Sequence, residues 1–128
     1  MAYVYEFSGL TPSKKNSRVT VKATGRSFPS KKYTEWHKQK TMELSSQPMP
    51  SVPIANCTVE IALRFETLGI ADMTNKAESI MDLLVDLGIL HDDNWRVVPR
   101  LVLTASLDRK NPGATVTVTE ISDNNQLL

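Results

Sequence analysis

A period-two alternation followed closely by a period-3.6 stripe restricts this chain more than any other feature. Cys57, Val59, Ile61, Leu63 and Phe65 alternate with Thr58, Glu60, Ala62, Arg64 and Glu66. A strand here presents one apolar face and one mostly polar face. Gly69 marks a turn. Ala77, Ile80, Met81, Leu84 and Gly88 then fall at i, i+3, i+4, i+7 and i+11, the spacing of an amphipathic helix over about residues 74–87, with Gly88 placed to end it. A one-sided strand feeding a one-sided helix implies a layer of helix on a layer of sheet.

The remaining segments extend that plan. Tyr3, Tyr5 and Phe7 share one face of a first strand. Residues 18–22 are short and β-branched, a second strand or hairpin arm. Gly25 ends it, and Phe28-Pro29 lead to Ser30, the N-cap of a helix over residues 31–44 with Tyr33, Trp36, His37 and Leu44 as its apolar stripe. Pro48, Pro50 and Pro53 exclude regular structure from residues 45–53. Residues 95–107 and 114–121 read as two final strands joined through residues 108–113, and residues 122–128 as a frayed tail. The order β-β-α-β-α-β-β predicts an α/β (α+β) fold: a small mixed sheet with two helices on one face, in a single domain over residues 1–121.

Composition narrows the function classes. The 128 residues, 41% hydrophobic and 23% charged, suit one domain able to build a core without disulfides or structural metal. Cys57 is the only cysteine, which excludes a disulfide framework and a cysteine-rich zinc site and points to a reducing, cytoplasmic setting. No apolar run approaches the ~20 residues of a membrane helix, and residues 1–6 show no leader pattern. A membrane partner is therefore not expected. No glycine-rich phosphate loop is present, which argues against a nucleotide cofactor.

Charge is unevenly spread. Residues 1–48 hold nine Lys/Arg against three acids, while residues 49–128 hold six against eleven. Residues 7–34 contain no acid, and residues 14–32 carry seven of the fifteen basic residues. Such a basic front half suits a polyanion, with Lys14, Lys15, Asn16, Arg18, Arg26, Lys31 and Lys32 as candidate phosphate contacts. The two halves could equally neutralise one another across a shared interface.

The acids of the second half have a pattern. Glu78, Asp82 and Asp86 stand at i, i+4 and i+8 on the second helix, with Asp72 before it and Asp92-Asp93 after Gly88. A chain doubling back after Gly88 can reach Asp82 or Glu78, since five extended residues cover about 17 Å. Three or four such carboxylates are hard donors of the kind Mg2+ or Mn2+ takes, and these ions serve phosphodiester hydrolysis. The same spacing also fits an ordinary capped helix: Asp72 or Asn75 as N-cap, Glu78 as capping-box partner, Asp82 and Asp86 on a solvated face.

Asp72-Met73-Thr74-Asn75, then Ile80-Met81-Asp82-Leu83-Leu84, Gly88, and Asp92-Asp93-Asn94 before Val97-Val98 resemble the core motif of RusA-type Holliday junction resolvases. Pro12-Ser13-Lys14-Lys15-Asn16, Gly25-Arg26 and Pro29-Ser30-Lys31-Lys32-Tyr33 are similar to that family's N-terminal segment. The likeness runs over about residues 3–120. It implies an endodeoxyribonuclease that is a small α/β homodimer, binds four-way DNA junctions by shape and phosphate contacts, and nicks opposing strands with Mg2+ or Mn2+. Position by position, it makes Asp72, Asp82 and Asp93 the metal-binding aspartates, with Asp92 beside them, and it matches Asn75 to the motif asparagine. The family usually has aspartate at Thr74 and a functional lysine at Glu78. The resemblance therefore implies a rearranged site, in which Glu78 restores a carboxylate and Lys76 supplies the cation. The alternative is a catalytically inactive junction-binding protein of the same fold.

Overall fold

The computed structural model describes residues 1–13, 18–20 and 27–121. Its elements are β1 (Ala2–Ser8), β2 (Arg18–Thr20), β3 (Ser27–Pro29), α1 (Lys31–Ser45), β4 (Cys57–Phe65), α2 (Met73–Asp86), β5 (Arg100–Leu107) and β6 (Gly113–Glu120). The main sheet has the order β1-β6-β4-β5, and β2 and β3 form a separate antiparallel pair. β4 runs antiparallel to β6 and parallel to β5, with α2 as the crossover. The mixed α+β architecture expected from the sequence is therefore present, with β3 as an additional strand. Residues 14–17, 21–26 and 122–128, which include Lys14, Lys15, Asn16, Arg26 and the expected tail, lie outside the described residues.

Cross-strand rows build the core face of the sheet. Tyr5 stands opposite Val116, which stands opposite Ile61; Phe7 stands opposite Ala114, which stands opposite Leu63. The small Ala114 makes room for the Phe7 ring between strands. All six side chains are buried, and they join one cluster with Tyr33, Trp36 and Leu44 of α1 and Ala77, Ile80, Leu83 and Leu84 of α2. Both helices therefore cover the same face. The opposite face carries Val4, Glu6, Glu60, Thr117 and Thr119, all exposed or half-buried. Gly113 is forced at the start of β6: its φ is +152°, and a Cβ there would lie 2.0 Å from the Phe7 carbonyl oxygen.

Lys40, not His37, completes the buried stripe of α1 at residues 33, 36, 40 and 44. Its ammonium, 2.7 Å from the Glu43 carboxylate, also donates to the Ser8 carbonyl, so the charge enters the core margin with partners. Burial holds the Tyr5 and Tyr33 phenols up at about 12 and the Cys57 thiol at about 11.

Two boundaries position the site. α2 ends in a Schellman motif: Gly88 adopts φ +74°, its N–H donates to Val85 O, and the Ile89 N–H donates to Leu84 O. The chain then pairs with Ile54, whose N–H donates to Ile89 O while His91 N–H donates to Ile54 O, and this turns residues 91–94 back beside the helix. The expected strand over residues 95–107 begins only at Arg100. Asn94 takes the N–H groups of Arg96 and Val97 on its side chain and that of Val98 on its carbonyl. Pro99 has no N–H to offer a ladder, so residues 94–98 form turns rather than strand.

Candidate functional site

Asp72 caps α2 from an extended backbone conformation. Its Oδ1 accepts from the Thr74 N–H (3.0 Å), the Thr74 hydroxyl (2.7 Å) and the Asn75 N–H (3.3 Å), and its Oδ2 accepts from the Asn75 amide (3.0 Å). This makes Asp72 the N-cap and Asn75 the N3 residue, so Glu78 lies a turn too far along to be the capping-box partner. One helical turn on, the buried Ser79 hydroxyl reaches the Pro12 carbonyl at 2.8 Å. That bond ties the segment at residues 11–13 to α2.

Between them opens a cavity of about 300 Å³ lined by Pro12, Ser13, Lys32, Ile70, Ala71, Asp72 and Lys76. Lys32 comes from the first turn of α1 and Lys76 from the fourth residue of α2. Burial, followed by the like charge of Lys32, lowers the Lys76 ammonium from its ordinary value.

Further along α2 the acids divide. Glu78, Asp82 and Asp86 all act on the Tyr33 phenol, so the i, i+4, i+8 line faces α1, where His37 Nε2 lies 2.9 Å from Asp86 Oδ2. Asp82 also reaches the loop after Gly88. Desolvation raises the Asp93 carboxyl, and hydrogen bonding to Asp92 and the charges of Asp92 and Asp82 add to it. Asp92 is held low, chiefly because its Oδ1 accepts the Asp93 N–H at 2.7 Å. The doubling back of residues 89–93 therefore brings Asp93 toward Asp82, as the chain length allows.

Two acidic regions result: Asp72 at the start of α2, and Asp82 with Asp92-Asp93 farther along it. Among the described residues, no group of three or more His, Cys, Asp or Glu side chains is placed to hold a metal ion. The donors are the hard oxygens that Mg2+ or Mn2+ takes, but the present arrangement does not gather them round one point. Asp72 and Asp92 already accept hydrogen bonds within their own turns.

Of the candidate DNA contacts, Lys31 is exposed beside Glu35 at 3.8 Å, Lys32 lines the cavity, and Arg18 lies in β2. Sequence reasoning missed Ser79 and Trp95. Ser79 interrupts the apolar run of α2, a signal that its hydroxyl has an internal partner. Trp95, assigned to a strand, stands 70% exposed on the turn after Asp92-Asp93. Compared with protein-family models and with curated proteins, the chain matches none.

Proposed function

We propose that this protein is a Mg2+- or Mn2+-dependent, structure-specific endodeoxyribonuclease that acts as a homodimer on four-way or similarly branched DNA. The observation that carries the reading is the placement on and around one helix of two acidic regions beside a two-lysine cavity. Phosphodiester cleavage calls for both chemistries: carboxylates for a divalent ion, and cations for the strand being cut. A bound ion would supply an activated water and offset the charge that builds on the phosphate. Asp72, Asp82, Asp92, Asp93 and Glu78 are the residues to hold it, with Lys76 as the nearby cation. β5 supports the dimer, being an open sheet edge with Leu101 and Leu107 nearly half exposed.

A second reading has its own support. Asp72 serves as a helix cap, and the carboxylates stand in two regions, which suits a junction-binding protein without catalysis. Incubating the protein with a synthetic four-way junction and with linear duplex of the same sequence separates the two. Preferential junction binding in EDTA is common to both; strand cleavage on adding Mg2+ or Mn2+ belongs to the first alone.

A further inference from the structure

The cavity between the two helix starts has an unbalanced charge. Lys32 and Lys76 line it together, and among the described residues neither forms an ion pair. The Lys–carboxylate pairs present are Lys31 with Glu35 and Lys40 with Glu43. Each of the two lysines also sits near a helix N-terminus, where the backbone dipole is already positive and a cation is disfavoured. The Asp72 cap offsets this at α2, whereas no acid lies in the first turn of α1. Asp72 is the sole carboxylate in the lining, so two ammonium groups face one carboxylate and one positive charge is left in excess. Lys76 is half-buried, so solvent screens it less than a surface lysine. The arrangement is costly without a counter-ion and favourable with one. Pro12, held by the Ser79 hydroxyl, and Ser13 close one side of this space of about 300 Å³.

We propose that this cavity is a one-phosphate site: Lys32 and Lys76 together hold a single backbone phosphate of the DNA strand, setting the strand's register along α2 toward Asp82 and Asp93. The proposal rests on the nuclease reading for the source of the phosphate, and on the cavity alone for its chemistry. Lys32 and Lys76 are positioning residues at this site, held by helices rather than by a loop.

Two arms test it on the full chain. In the first, melting temperature is measured in sodium phosphate and in sodium chloride at equal ionic strength. Phosphate should raise the wild-type value; Lys32→Gln and Lys76→Gln should each abolish the rise, and Lys110→Gln, in the β5–β6 turn, should keep it. Lys76→Met should melt higher than wild type in chloride, because it removes the uncompensated half-buried charge. In the second arm, junction affinity is measured against salt in EDTA. Each single variant should lower the log–log slope by about 0.9, and the double variant should lower it no further, because one phosphate is lost once. A double-variant slope lower by about 1.8 would mean two separate phosphates and overturn the shared site. So would a phosphate-induced rise that survives both single variants. If wild type binds no junction, the nuclease reading and the DNA source both fail, and a lysine-dependent rise would assign the cavity to free phosphate instead.

Discussion

Asp72 joins local structure to the proposed chemistry, and two substitutions separate its roles. As N-cap it accepts the Thr74 and Asn75 N–H groups on Oδ1. Asparagine keeps that oxygen and ranks with aspartate as a cap, whereas alanine removes it at a cost of about 1 kcal/mol. Loss of the charge at a helix N-terminus adds about 0.3–1 kcal/mol in both variants, reduced by exposure and salt. In Asp72→Asn, an amide NH2 replaces Oδ2 and faces the Asn75 amide, but the site is exposed and water can take both groups. Asp72→Asn should therefore lose about 0.5 kcal/mol and Asp72→Ala about 1.5 kcal/mol. For a domain of this size these are melting shifts of about 2 and 6 °C. Cleavage should fall differently: both variants should lose it, since a neutral amide binds a hard divalent cation far more weakly than a carboxylate. Thermal denaturation by circular dichroism and junction cleavage in Mg2+ measure the two quantities on the same samples. If Asn destabilises as much as Ala, the capping account is wrong. An Asp72→Asn enzyme that cuts at the wild-type rate would remove Asp72 from the site.

Four further outcomes follow from named contacts. Glu78→Gln and Glu78→Ala should each change stability by less than about 0.5 kcal/mol, because Glu78 is exposed and not the N3 residue; loss of cleavage in Glu78→Gln with stability and junction binding kept would place its charge in the reaction. Asp93→Asn should melt at or slightly above wild type at neutral pH, since it removes a desolvated charge repelled by Asp92 and Asp82, yet should abolish cleavage. Alkaline titration should show stability fully present below about pH 9 and lost as pH rises toward 11 and 12, because the folded state keeps the protons of Cys57, Tyr5 and Tyr33 after the unfolded chain has released its own; phenolate absorbance and unfolding followed together check this. Gly113→Ala should destabilise far more than Gly88→Ala in urea denaturation, because its Cβ would meet backbone at 2.0 Å while Gly88 faces open space.

The parts of this fold legible in the sequence are those decided by local pattern. The alternation at residues 57–65 and the stripe on α2 appear as read, as do the Ser30 cap and the Gly88 end, because each depends on neighbours within a few residues. Pairing was not legible: nothing local says that β6 lies between β1 and β4, or that β5 runs parallel to β4 at an edge. The late start of β5 had local signals in Asn94 and Pro99, but the apolar Val97-Val98 outweighed them. Both valines are buried, as a strand would bury them, though from a turn. The burial of Lys40 has no local signal, because charge counts against burial and the Ser8 carbonyl that receives it comes from a distant strand. In the site, chain length allowed Asp93 to meet Asp82 and the structure brings them into electrostatic reach. The orientation of Glu78, Asp82 and Asp86 toward Tyr33 depends on where α1 packs, which spacing on α2 alone cannot give.

Strand-resolved mapping of nicks on a four-way junction tests the central claim most directly. Each of the four strands is end-labelled in turn and incubated with wild-type protein, Asp72→Asn and Asp93→Asn, in Mg2+, in Mn2+ and in EDTA. The account predicts paired cuts at symmetric positions on two opposing strands, made by wild type only when a divalent ion is present, with both variants still shifting the junction in a gel. A wild-type protein that shifts the junction but leaves all four strands intact in either ion would contradict it and leave a binding protein in its place.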